Sequence, residues 1–288
     1  EISSKKWSSK FNKSKVKSPN FGGSSSSFWA RLTIKNEIDL NKEWFISFNF
    51  YTQDHITLYK KINNEWVSIK TGDRHPFSTR EIKARPFVFK ISPQKYSIYY
   101  LKIQGSDNQF SLYLADAENF SKNEAKANYS YGLLFGLTLS MVLYNFFIFI
   151  STKSISYLYY VFYAIFFGLF ISGLEGFNQR FLFHENPWFS NNGQAFWMGM
   201  TQTFGVLFTI SYLKLDKSMK PFFLLLIISF FIALGISISS FIFPFSYNLK
   251  AFLLNGIFFS LIALSSTIYR IRKGYRPASY YLLSMGFS

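Results

Sequence analysis

The chain has no cysteine, only 8 prolines and 3 histidines in 288 residues, and 15 acidic side chains against 31 basic ones. Without cysteine there are no disulfides and no zinc–thiolate site, so each domain must fold on its apolar core alone. His55, His75 and His184 lie far apart in the sequence. No His-Glu-x-x-His, calcium loop, phosphate-binding Gly-x-x-x-x-Gly-Lys or Gly-x-Ser-x-Gly elbow occurs. Metal, cofactor and catalysis are therefore not expected of these residues. The shortage of acids leaves a net charge of +16. No nucleic-acid module surrounds the basic residues, so nucleic acid is not an expected partner.

What the chain does have is apolar length. Residues 129–151, 155–174, 194–213, 221–243 and 249–269 form five stretches of 20 to 23 residues, charged only at Lys250. At ~1.5 Å rise per residue each is long enough as a helix to cross a hydrocarbon core of ~30 Å. Residues 277–288 are too short to span, so the chain is expected to be a fragment that stops inside a sixth membrane helix. Loop charge sets the orientation, because Lys and Arg in short loops stay cytoplasmic. One set of connections holds Lys153, Lys214, Lys217, Lys220, Arg270, Arg272, Lys273 and Arg276; the other holds Arg180 and Lys250. Eight against two places residues 1–128 outside. The chain is thus expected in the cytoplasmic (inner) membrane, multi-pass, among lipids, with its N-terminal part periplasmic or extracellular.

Ahead of the apolar part, residues 1–19 are a basic, flexible segment rich in Lys and Ser. Residues 20–118 alternate large apolar and polar side chains at period two, over 28–34, 44–51, 55–61, 65–69, 87–91, 96–103 and 109–114. Breakers separate these runs, and Asn63-Asn64 suits the positive φ of a tight hairpin. Seven short strands at this spacing predict an all-β antiparallel sandwich. Residues 119–128 form a polar linker, and 129–288 an all-α polytopic bundle. A sensor with an external ligand domain has this layout, and so does a transporter or channel with an accessory β domain. The latter would need charged or broken helices at the midplane.

Particular residues carry a family resemblance. Ser27-Phe-Trp-Ala-Arg-Leu-Thr-Ile, then Thr71-Gly-Asp-Arg-His-Pro-Phe77 and Tyr99-Tyr-Leu-Lys-Ile, resemble the external domain of bacterial seven-transmembrane receptors with diverse intracellular signalling modules. Gly132-Leu-Leu-Phe-Gly136, Leu143-Tyr-Asn145, Ser156-Tyr-Leu-Tyr-Tyr160, Gly173-Leu-Glu-Gly176 and Lys273-Gly-Tyr-Arg-Pro-Ala278, followed by Tyr281-Leu-Leu, are similar to its membrane domain. The resemblance implies a jelly-roll-like domain, akin to carbohydrate-binding modules, that senses a small ligand. It also implies a bundle that relays the signal to an output such as a histidine kinase, cyclase or phosphatase.

The densest polar constellation is the 71–77 loop. Asp73 accepts, Arg74 donates in a fork and His75 does either, while Arg80 and Arg85 add positive potential. These five are candidate contacts for a sugar hydroxyl or a carboxylate. Trp29, Tyr51 and Trp66 are candidates to stack on a sugar ring, although Trp29 and Tyr51 sit in strand patterns that also suit a core. In the membrane part, Asn145 is a candidate for interhelical hydrogen bonding. Glu175 stands at the external end of the second span, as a head-group contact or a partner of Arg180. A homodimer through the bundle is compatible with this layout.

Overall fold

The computed structural model describes residues 2, 4–37, 42–216 and 219–285. The basic-loop residues Lys217 and Ser218, and the final residues 286–288, lie outside the described residues. The chain divides into two compact units, Glu1–Tyr129 with Gly173–Asn191, and Ser130–Ser172 with Asn192–Ser288. The sequence-based division at 118 and 128 has no counterpart for 173–191, which belong with the β domain.

In the first unit a short helix, α1 (Lys5–Ser8), precedes seven strands: β1 (Asn20–Lys35), β2 (Trp44–Phe48), β3 (His55–Ile62), β4 (Glu65–Thr71), β5 (Phe87–Ile91), β6 (Tyr96–Gln109) and β7 (Leu112–Asp116). They form two antiparallel sheets, ordered β1-β6-β3-β4 and β5-β2-β7. Period-two alternation turns Ile56, Leu58, Tyr99, Leu101 and Ile103 of the larger sheet into the same core as Ile46, Phe48, Phe87, Phe89 and Ile91 of the smaller one. At the β3–β4 hairpin Asn63 and Asn64 adopt φ of 50° and 69°, the conformation the sequence leads one to expect.

The register sends the alternate residues to the other face of the larger sheet. Trp29 lies opposite Lys102, Arg31 opposite Tyr100, Tyr100 opposite Tyr59, and Lys61 opposite Trp66. The β domain ends where Asp116 Oδ1 accepts from the Asn119 amide at 2.9 Å, a side-chain cap that starts helix α2 (Ala117–Thr152). The expected linker at 119–128 is therefore the opening of a continuous helix that also contains the first apolar stretch.

The second unit contains most of α2 and α3 (Ile155–Leu174), then α5 (Gly193–Tyr212), α6 (Lys220–Ser239), α7 (Phe245–Arg272) and α8 (Pro277–Met285); one-turn α4 (Pro187–Ser190) lies in the first unit. Among the described residues four helices, α2, α3, α6 and α7, are long and apolar enough to cross a membrane. The expected third span, α5, has the length but carries Gln194, Thr201, Gln202, Thr203 and Thr209, and these polar side chains are buried. α5 packs along α6 and α7. Gly199 lets α6 come close, since a Cβ there would stand 2.7 Å from the Ser237 amide nitrogen. At mid-helix, Asn255 of α7 donates to Gln202 Oε1 at 2.8 Å and to the Ser229 carbonyl at 3.1 Å. Such bonds satisfy polar groups that lipid could not.

Candidate functional site

Seven of the residues singled out in the sequence gather within the first unit around the 71–77 loop. The loop is built on Gly72, whose φ of 140° turns β4 back toward the residues before β3. There the Asp73 amide donates to the Gln53 carbonyl at 2.9 Å and the Arg74 amide to the Asp54 carbonyl at 3.4 Å. This fixes Asp73 beside Asp54. The side chains of both are buried, Asp73 at 2% exposure. A single nitrogen, Asn191 Nδ2, lies 2.9 Å from Asp54 Oδ1 and 2.9 Å from each oxygen of Asp73. Asp54 also pairs with Arg74 Nε at 3.1 Å and accepts from the Ser106 amide at 3.2 Å. Burial, and then the charge of Asp54, push the Asp73 carboxyl up to about 8.

Arg80 and Arg85 are also buried rather than turned to solvent. Arg80 donates to the carbonyls of Ala84 at 2.8 Å and Arg85 at 2.9 Å, and to Gln179 Oε1. Its guanidinium lies over Phe77 and Phe87. Burial lowers its pKa to about 10, which leaves it charged at neutral pH. Gln179 in turn donates to the His75 carbonyl at 2.7 Å. Arg85 stacks over Tyr51, 4.6 Å from the ring centre, and pairs with Glu175 at 3.3 Å and Glu124 at 3.4 Å. Arg180 pairs with Glu124 at 3.8 Å rather than with Glu175. The rings of His55 and His75 meet, Nδ1 to Nε2, at 3.1 Å, and burial lowers the pKa of both. No group of three potential metal ligands occurs among the described residues.

This cluster joins residues 51–85 to 173–191, the stretch between α3 and α5. Its function in the fold is cohesion: acceptor and donor groups from two distant parts of the chain pair with one another. Of the candidate contacts, Arg74 and His75 keep solvent access, while Asp73, Arg80 and Arg85 do not.

Trp29 and Trp66 lie elsewhere, on the open face of the larger sheet. Trp29 stacks on Tyr59 at 5.4 Å, and Trp66 packs against Tyr100 at 5.4 Å. Beside Trp66 runs an open groove of about 670 Å³, lined by Trp66, Tyr96 and Tyr100 together with Asn63, Asn64 and Gln94. Trp66 and Tyr96 are 39% and 63% exposed, unlike the buried arginines. Asn145, on α2, donates to the Met141 carbonyl of its own helix at 2.8 Å.

Asp54, Gln179, Asn191 and Tyr96 were not among the sequence candidates. No local signal marks them: Asn191 is 118 residues from Asp73, and Tyr96 lies in an alternation that reads as core.

A family model described as 7TM diverse intracellular signalling matches residues 127–288, and one described as 7TMR-DISM extracellular 2 matches residues 1–116. No curated protein and no solved structure matches the chain.

Proposed function

Given that the chain belongs to the seven-transmembrane receptors with diverse intracellular signalling modules, we propose that its β domain senses a small polar ligand, a carbohydrate first of all, in the groove beside Trp66. Membership makes it a transmembrane signalling receptor, a multi-pass membrane protein whose N-terminal domain is extracellular. The observation that carries the ligand reading is the groove itself. Exposed aromatic faces suit the C–H surface of a sugar ring, and the amides of Asn63, Asn64 and Gln94 supply the paired donors and acceptors that hydroxyls need. The buried cluster around Asp73 is the route by which a change in the β domain reaches residues 173–191. The membrane is the bacterial inner membrane, and the output is a cytoplasmic kinase, cyclase or phosphatase module.

Titration of the detergent-solubilised chain with a panel of neutral oligosaccharides and organic acids tests the ligand. Trp66→Ala is expected to weaken binding of the selected sugar by ~1–2 kcal/mol, roughly five- to thirtyfold. Weakening by Arg74→Ala with no effect of Trp66→Ala would move the site to the 71–77 loop and its ligand to a carboxylate.

The orientation has its own test, which the absence of cysteine makes clean. Single cysteines at Ser154 and Lys273 should resist a membrane-impermeant maleimide in spheroplasts, and one at Glu185 should react. Labelling at 154 or 273 would reverse the topology.

A further inference from the structure

The Asp54–Asp73 pocket has more acceptors than donors. Asn191 Nδ2 has two hydrogens but stands 2.9 Å from three carboxylate oxygens. Gln53, which precedes Asp54 in the chain, has its side-chain Oε1 fully buried with no hydrogen-bond donor among the described residues. The Gln53 amide and the Asp54 carboxyl crowd the same spot, since a Cβ on Gly105 would lie 2.9 Å from Gln53 Nε2 and 3.0 Å from Asp54 Cγ. Two ionised carboxylates on one amide nitrogen, with a surplus acceptor alongside, are a poor arrangement in a buried site. One added proton balances the count.

We propose that Asp54 and Asp73 hold one proton between them, and that its loss at alkaline external pH loosens the grip of the β domain on residues 187–191. The proton is the ligand, and the external medium is its source. Other charges face the pair from every side. Arg74, on the same loop, neutralises Asp54 at the solvent edge. The charge of Arg80 also acts on Asp73. His55 and His75 lie nearby with lowered pKa and so stay neutral above pH 7. Asp73 is therefore the carboxyl that titrates in the alkaline range. The carboxyl of Asp73 is raised from an ordinary ~3.9 to about 8, so the lock is complete at acid pH and is lost as pH rises through about 8.

The amide of Asn191, bonded to the Pro187 carbonyl at 2.9 Å, reports on this end of the stretch. In the whole chain in nanodiscs, its hydrogen exchange, corrected for the intrinsic rate, should speed up about tenfold from pH 7 to pH 9. Asp73→Asn, neutral at both pH values, should hold protection constant. Infrared spectra of the unmodified chain supply a second readout that needs no variant. A carboxylic-acid C=O band should be present at pH 7, be lost by pH 9 and be absent from Asp73→Asn. Exchange that does not change with pH, an Asp73→Asn chain that keeps the wild-type response, or no acid band at pH 7 would each overturn the proposal.

Discussion

Gly72→Ala is expected to destabilise the β domain by about 3 kcal/mol or more and to lower its Tm by roughly 10 °C. Two effects add. A φ of 140° is a region that side chains with a Cβ rarely occupy. The new methyl group would also stand 2.1 Å from the Asp54 carbonyl oxygen and 2.7 Å from its carbon, and both are backbone atoms. A long side chain could swing away; a backbone carbonyl held by the Arg74 amide cannot without dragging the loop with it. Circular dichroism melts of the purified chain, followed in the β region, give the measurement. A Tm within about 2 °C of the parent would mean that the turn relaxes freely and that the Asp54–Asp73 geometry is softer than described.

Arg80→Ala should cost about 3–5 kcal/mol, because it removes a buried cation and strands its partners. The carbonyls of Ala84 and Arg85 and the Gln179 side chain would each lose a donor at once. Arg80→Lys should recover less than half, since an ammonium has no planar fork and cannot reach three acceptors spread around Phe77 and Phe87. The readout is again thermal, paired with ligand titration. A stable Arg80→Ala chain with selectively weakened ligand binding would return this residue to the binding site.

Much of the β domain was legible because its chemistry is local. In Trp44-Phe-Ile-Ser-Phe the period of two assigns Ile46 and Phe48 to one face, and the structure buries both. Asn63-Asn64 announces its hairpin through residues that tolerate positive φ. The order of the strands was not legible, since β1 pairs with β6 across a long sequence gap and nothing in either strand names the other. The groove was hidden for a related reason. In 96–100 aromatic side chains occupy both faces, so alternation alone does not say that Tyr99 joins the core between the sheets while Tyr100, equally buried, packs against Trp66 on the other face. The arginines illustrate the opposite error of inference. Arg80 and Arg85 look like free positive charge in sequence, but each has a partner far along the chain, Gln179 for Arg80 and Glu124 and Glu175 for Arg85, which no local pattern names. The stretch at 194–213 was legible as a helix of membrane length, but not the role of its polar side chains: Gln202 bonds to Asn255 and to the Phe252 carbonyl inside the bundle.

The membership of residues 173–191 in the β domain alters how many ways that domain can move. A domain on one flexible leash swivels and tumbles on its own, and little of that motion reaches the other end. Here the chain passes between the two units three times, near residues 129, 172 and 191. The first passage lies within helix α2. Each added tether removes independent rotations. Cleaving the backbone within 183–186, which leaves every side chain in place, would restore some of that lost freedom. The β domain's own strand pairing should persist in the cleaved chain, which circular dichroism checks.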